Sequence, residues 1–361
     1  MADPLLFRSF TLRNLEIRNR LWVAPMCQYS VESEDGIVGD WHLQHLGSFA
    51  RGGAGLVFME ATAVTPEGRI SPRCPGIWDD AQLPPLSRIV DAVHAHGAKI
   101  GIQLAHAGRK GSTYPSLPGF ADGSVPIAEG GWETVAPSAL AFGDFAEPRA
   151  LDTADIADLV QSFVDAARRA VQAGFDVVEI HAAHGYLIHE FLSPFSNERA
   201  DEYGGDLAGR ARLLREIVRA VRAAHPELPM VVRVSATEWL DGGFDGAEAA
   251  RVTAWLAEDG ADLVDTSTAG NTPGAPIPVG PSYQVPLAAQ LRETGALPIS
   301  AVGLITSAEQ AEGILATGQA DIISLGRPLL ANPHLPISWA HELRAPVAEE
   351  LVPPQYARAR F

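Results

Sequence analysis

Cysteine and lysine are almost missing from this chain of 361 residues: each occurs only twice. Cys27 and Cys74 cannot build a disulfide scaffold, and two thiols cannot ligate a four-thiolate iron–sulfur cluster within one chain. A reduced, cytoplasmic protein is therefore expected. The opening Met1-Ala-Asp-Pro-Leu-Leu-Phe-Arg8 agrees, since it lacks a basic-then-apolar export pattern. Positive charge is short as well, with 27 Lys+Arg against 44 Asp+Glu and a formal net charge of −17. Nucleic acid and anionic membrane surfaces are poor partners for such a chain. No apolar run reaches the length a bilayer demands. The scarcity of lysine draws the eye to Lys110, at the end of His106-Ala-Gly-Arg-Lys110. A chain that otherwise uses arginine has lysine here, which hints at a need for a compact ammonium. Lys99 has no such setting, so coincidence reads about as well.

What is present is a large apolar fraction, 47% of residues, ample for a sizeable core. Apolar strand patterns fall at 21–26, 55–59, 99–104, 176–180, 230–234, 262–266, 298–302 and 321–325. Helical patterns follow them at 40–50, 85–96, 153–172, 209–224, 246–258, 285–293, 308–316 and 335–343. Gly53, Gly97, Gly174, Gly260, Gly295 and Gly318 stand where helices should end. Eight such units in series predict an α/β fold, a (β/α)8 TIM barrel formed as one domain over 1–361. A doubly wound open sheet is the alternative, but no Gly-x-Gly-x-x-Gly follows the first strand. Residues 108–149, after the third strand, are rich in Gly, Pro and Ser and lack a helical period. They read as a capping insertion, a lid over the barrel mouth. The two prolines at the head of residues 353–361 suggest an extended C-terminal arm.

The densest chemistry lies in Glu179-Ile-His181-Ala-Ala-His184-Gly-Tyr186. A buried strand ends there, and the carboxyl ends of parallel strands are where α/β proteins do chemistry. Residues three apart on a straight strand face opposite ways, so the chain must turn after His181, and Gly185 permits it. Catalysis, half of a metal site and a structural role are equally good readings of the local residues. The other strand ends add Cys27 and Tyr29, Glu60 and Ala61, then Gln103, His106 and Lys110. Arg233 sits inside the fifth strand and needs an anionic partner, either a barrel carboxylate such as Glu179 or a bound cofactor. The seventh and eighth strands run into Gly303 and Gly326-Arg327, as in the barrel phosphate site. Phosphate there, with polar groups at strands one, three, four and five, describes a flavin mononucleotide barrel.

With these residues set out, the chain resembles the Old Yellow Enzyme family of FMN-dependent ene-reductases, most closely its thermophilic-like and xenobiotic-reductase class. The motifs carrying the resemblance are Ala24-Pro-Met-Cys-Gln-Tyr29, Gly101-Ile-Gln-Leu-Ala-His-Ala-Gly-Arg-Lys110, His181-Ala-Ala-His-Gly-Tyr186, Ser193-Pro-Phe-Ser-Asn-Glu-Arg-Ala-Asp-Glu-Tyr-Gly-Gly205 and Leu325-Gly-Arg327. The resemblance implies non-covalent FMN reduced by NAD(P)H, with NADPH favoured, and hydride transfer to an α,β-unsaturated carbonyl. It implies that His181 and His184 bind the substrate carbonyl and that Tyr186 protonates the α-carbon. Ala24, Pro25, Met26, Cys27, Ala61, Gln103, Lys110, Arg233, Gly303, Gly326 and Arg327 correspond to the flavin cradle. Cys27 corresponds to the residue that tunes flavin potential, and Tyr29 to a substrate-side donor. Gln355-Tyr-Ala-Arg358 resembles a segment that reaches a neighbouring subunit's site, so a homodimer or homotetramer with arm exchange is implied, with Arg358 on the substrate and Arg360 competing for that role. Residues 111–131 depart from the shorter thermophilic-like pattern. No metal is implied. A metal-dependent barrel hydrolase and a silent flavin-binding protein are the rival readings.

Overall fold

Valine and isoleucine fill the strands, and nearly every strand residue is buried on whichever face it points to, as expected when helices cover a closed parallel sheet. The computed structural model describes residues 3–359. Its barrel strands are β1 (Leu21–Val23), β2 (Leu56–Ala63), β3 (Lys99–Ala105), β4 (Val177–Ala182), β5 (Met230–Ser235), β6 (Leu263–Ser267), β7 (Ile299–Ala301) and β8 (Ile322–Leu325). Each pairs in parallel with the next, and β8 closes on β1 through Ile323 opposite Leu21. The outer helices are α1 (Asp40–Arg51), α2 (Leu83–His94), α3 (Thr153–Ala173), α4 (Arg212–Ala224), α5 (Gly246–Asp259), α6 (Val285–Arg292), α7 (Ala308–Ala316) and α8 (Leu335–Glu342). The eight predicted units are all there.

Local chemistry explains the element ends. Asp152, Asp245 and Ser307 cap α3, α5 and α7 with side-chain oxygens that accept first-turn N–H groups. The six glycines expected to end helices all take positive φ, from +63° to +102°. β1 stops at Val23, short of the expected Met26, because Pro25 has no N–H to continue the ladder. The helix expected over 209–224 runs instead as Leu207–Arg210 and α4, joined at Ala211.

One element escaped the sequence reading. A hairpin of Phe10–Leu12 and Leu15–Ile17 closes the amino-terminal end of the barrel. Leu12 and Ile17 pack there with the inward side chains Trp22, Leu56, Phe58, Val177, Val231, Leu263 and Ile322. The barrel floor is therefore dry and filled, and the polar residues sit above it, toward the carboxyl ends.

Residues 108–149 have little regular structure. Val135–Ala136 pairs in parallel with Arg149–Ala150, which ties the base of the insertion together. The tail is not extended throughout: Pro354–Tyr356 forms a 3-10 turn, with the Tyr356 ring 5.7 Å from that of His334. Arg358 is exposed, and Arg360 lies outside the described residues. Among the described residues no helix is long and apolar enough to cross a membrane.

Candidate active site

The turn demanded after His181 is present. β4 ends at Ala182, and His184 then takes φ +61°, followed by Gly185 at φ +71°. A Cβ on Gly185 would stand 2.2 Å from Gly270 O, so only glycine fits. The strained His184 is fixed on both sides of its backbone. Its N–H donates to Ser235 Oγ at 2.9 Å, and its carbonyl accepts from Lys110 Nζ at 2.7 Å. The turn brings three rings together: His181 lies 5.2 Å from His184 and 5.1 Å from Tyr186, centroid to centroid. His184 Nε2 is 2.7 Å from Ser267 Oγ, which is itself 3.2 Å from Gln284 Oε1.

Burial sets the charge states of this group. It pushes both imidazoles well below their ordinary pKa, with Arg233 adding to the effect, so both are neutral near pH 7. It pushes the Tyr186 phenol well above 10, and the Tyr29 phenol upward as well. The Cys27 thiol is pushed up to about 12 by burial and then by Glu60. The site thus offers neutral imidazoles and a protonated phenol, with Arg233 and Lys110 as the cations that act on them.

Lys110 holds the loops. Its ammonium donates to the carbonyls of His184 and Gly270, at 2.7 and 2.9 Å, and lies between the rings of Phe142 and Tyr186, 4.7 and 4.9 Å from their centroids. Burial lowers it to about 8, with Glu190 opposing. The need for a compact ammonium is visible here, since three short donors meet two carbonyls and two aromatic faces in one place. These contacts are to protein; the sequence reading placed Lys110 with the cofactor residues.

Arg233 has a partner the sequence reading did not choose. Its Nε lies 3.2 Å from Asp265 Oδ2, because β5 and β6 set these residues directly opposite. Glu179 instead accepts from Gln103 Nε2 at 2.6 Å. Burial, and then Asp265, push Glu179 up to about 8. The Arg233–Asp265 contact is close but poorly aligned: Arg233 Nε has no hydrogen-bond partner among the described residues, nor has His181 Nδ1. Buried, unsatisfied polar atoms of this kind call for a ligand or water.

The ends of β1 and β8 meet where Met26 Sδ would lie 3.3 Å from a Cβ on Gly326. Gly303 (φ +118°), Gly326 and the exposed Arg327 border one cleft with Gln284. Ala24 is buried, Pro25, Met26 and Cys27 are half-buried, and Ala61 packs with Cys27, Tyr29 and Tyr186. A register shift in β2 between Met59 and Ala61 turns this edge toward the site. A glycine-lined cleft with a guanidinium at its edge suits a phosphate, and an unsatisfied arginine and Gln103, both interacting with Glu179, suit a flat polar ring; the residues present fit FMN.

The sequence reading missed Ser235, Ser267, Gln284 and His42. Ser267 was findable as the inward residue two beyond Asp265 on β6. His42 Nε2 lies 3.3 Å from Glu60 Oε1, while Glu60 Oε2 accepts from Gln28 N at 2.7 Å, which steadies the Cys27 loop. Nothing in the sequence singles out Gln284.

A glycine-lined cleft at β7 and β8, polar side chains above an apolar floor and a donor-lined mouth are the features of a flavin-binding barrel oxidoreductase. Comparison with known proteins agrees: the NADH:flavin oxidoreductase / NADH oxidase family matches residues 5–345. The chain belongs to that family, as an NAD(P)H-dependent FMN oxidoreductase of the Old Yellow Enzyme type. It is 46% identical over 355 residues to an NADPH dehydrogenase of Listeria monocytogenes serotype 4a (strain HCC23), covering 98% of each chain. It is similar to the solved structure of morphinone reductase, with TM-score 0.77 and 32% identity over 94% of this chain and 90% of that one. An old yellow enzyme homologue from Zymomonas mobilis matches with TM-score 0.77 and 30% identity, over 94% of this chain and 93% of that one.

Proposed function

We propose that the enzyme is an NADPH-dependent ene-reductase acting on α,β-unsaturated carbonyls and related maleimides or nitro compounds. The observation that carries this reading is the convergence of His181, His184 and Tyr186 at the barrel mouth, two neutral imidazoles and a protonated phenol within about one ring's reach. When bound, FMN would supply the redox chemistry, hydride transfer between the reduced nicotinamide and the β-carbon of the substrate. His181 and His184 hold the substrate oxygen, on which negative charge builds as the β-carbon is reduced. Being neutral, they act as donors whose strength does not change through the physiological pH range. Tyr186 gives its proton to the α-carbon. Its high pKa keeps the proton in place until that moment.

The remaining roles belong to the same proposal. Cys27, Tyr29 and Tyr186 pack in one cluster with Ala61. Cys27 tunes the flavin potential, and Tyr29 donates to the substrate. Arg327 with Gly303 and Gly326 holds the phosphate, and Arg233 with Gln103 holds the ring. Residues 108–149 act as a lid whose Phe142 rests on the Lys110 ammonium. Arg358, exposed at the end of the chain, reaches a neighbouring subunit in a homodimer or homotetramer. The relative named NADPH dehydrogenase supports the choice of reductant, and the neighbour named morphinone reductase supports a ketone substrate. A steady-state panel of enones, maleimides and nitro compounds with NADPH tests the reading. Flavin that NADPH reduces but that no member of the panel reoxidises would reject it.

A further inference from the structure

His184 is engaged at three of its four polar atoms: N–H on Ser235 Oγ, carbonyl on Lys110 Nζ, and Nε2 beside Ser267 Oγ. Nδ1 is the atom left for a substrate oxygen. A neutral imidazole carries one hydrogen, and its position is fixed by the bond the other nitrogen makes. Ser267 has a single hydroxyl hydrogen and sits between His184 Nε2 at 2.7 Å and the Gln284 amide at 3.2 Å. Two polarities use the Ser267 hydroxyl hydrogen within this chain of bonds. With Gln284 Oε1 toward Ser267, as the structure has it, the hydroxyl donates to the amide and its oxygen accepts from His184 Nε2–H. Nδ1 is then a bare lone pair facing the substrate, and it repels a carbonyl oxygen. A half-turn of the amide puts its NH2 in the same place. Gln284 then donates to Ser267, Ser267 donates to Nε2, and the His184 hydrogen resides on Nδ1. An oxygen gaining negative charge needs that donor.

We propose that Ser267 and Gln284 are positioning residues that set the tautomer of His184, and that the orientation with the Gln284 NH2 toward Ser267 is the one that reduces enones. The inference rests on the ene-reductase reading and names what makes its carbonyl grip competent. Gln284 is suited to the task. It is buried at the head of α6, and its side chain lies against Gly303, where a Cβ would stand 3.1 Å from Gln284 Cβ, Cγ and Nε2. Gly303 borders the cleft shared with Gly326 and Arg327. Three side chains thus connect the phosphate cleft to the carbonyl grip, so the occupant of one end touches the amide that polarises the other.

The test uses FMN-loaded enzyme labelled with 15N-histidine and saturated with a saturated ketone. Heteronuclear NMR is expected to show the His184 hydrogen on Nδ1. Gln284→Glu, whose carboxylate only accepts, is expected to move it to Nε2. That variant should slow flavin reoxidation by an enone by about 10²–10³-fold, the loss that follows removal of one oxyanion donor. Gln284→Lys, which only donates, is expected to keep the hydrogen on Nδ1 and to reoxidise faster than Gln284→Glu. Flavin reduction by NADPH, which needs no oxyanion donor, should slow less than reoxidation in the Gln284→Glu variant. If these variants fail to retain flavin, Ser267→Ala against Ser267→Thr makes the same comparison, with the hydroxyl of threonine expected to restore the rate. A wild-type hydrogen on Nε2 with ketone bound, or equal rates in the Glu and Lys variants, overturns the proposal. If wild type reduces no enone, the ene-reductase reading fails, and the NMR assignment still decides the tautomer.

Discussion

Arg233 and Glu179 show what a single residue can and cannot reveal from sequence. That a strand arginine needs an anion was legible; which anion was not, because the choice depends on barrel register. Register sets Asp265 opposite Arg233 and leaves Glu179 to Gln103. The result is a buried carboxyl pushed up to about 8, mainly by burial. Its folded pKa lies above its unfolded value, so its contribution to stability is full below about pH 4.5 and is lost as pH rises through about 8. Glu179→Gln should therefore flatten the fall in melting temperature across that window, with the wild-type slope persisting if Glu179 is ionised throughout. Cys27 carries a separate expectation. Its thiol is held neutral, so the influence on flavin proposed for it is that of an uncharged, polarisable sulfur. Cys27→Ala should shift the flavin midpoint potential while the protein stays folded, as read by spectroelectrochemistry; an unchanged potential would make Cys27 a packing residue.

At the scale of the element, the β4 strand and its turn carry the site. The strand was legible from its apolar run, and the need for a turn from the alternation of side chains. The turn's supports were not, because Ser235, Lys110 and Gly270 come from β5, from the segment after β3 and from the loop after β6. Spacing within one segment says nothing of contacts across three. The N-terminal hairpin was missed for a related reason: its strands are three residues each, too short for a period to register. Gly185→Ala tests the turn. Alanine at φ +71° costs about 1–2 kcal/mol from conformation alone, and the overlap with Gly270 O adds to it. The expected outcome is a lower melting temperature with enone reoxidation slowed more than flavin reduction, because His184 moves with the turn. Equal slowing of both halves would show that the turn does not place His184 for the carbonyl.

The whole molecule separates stability from chemistry along the barrel axis. The amino-terminal end is filled by a dry apolar plug, and the carboxyl-terminal end gathers the rings, the glycine-lined cleft and Phe142 of the 108–149 insertion. That division followed from recognising eight strand–helix units, and it is the part of the architecture the sequence makes plainest. The tail is less plain. Two prolines suggested an extended arm, yet Pro354–Tyr356 turns back so that Tyr356 meets His334 and the Arg51 guanidinium. Removing residues 353–361 should raise the enone KM and weaken the oligomer while FMN stays bound, as measured by kinetics and light scattering. Wild-type kinetics and mass in the truncated protein would deny the arm both roles.

The central claim is that one set of residues serves the substrate half of the reaction and that Tyr186 is its acid. Stopped-flow spectroscopy of Tyr186→Phe, with NADPH and then an enone, tests it most directly. Flavin reduction should run near the wild-type rate, because that half needs no proton delivered to carbon. Reoxidation by the enone should slow by about 10²–10⁴-fold, the usual worth of a positioned general acid. Reoxidation at the wild-type rate in the phenylalanine variant would contradict the account.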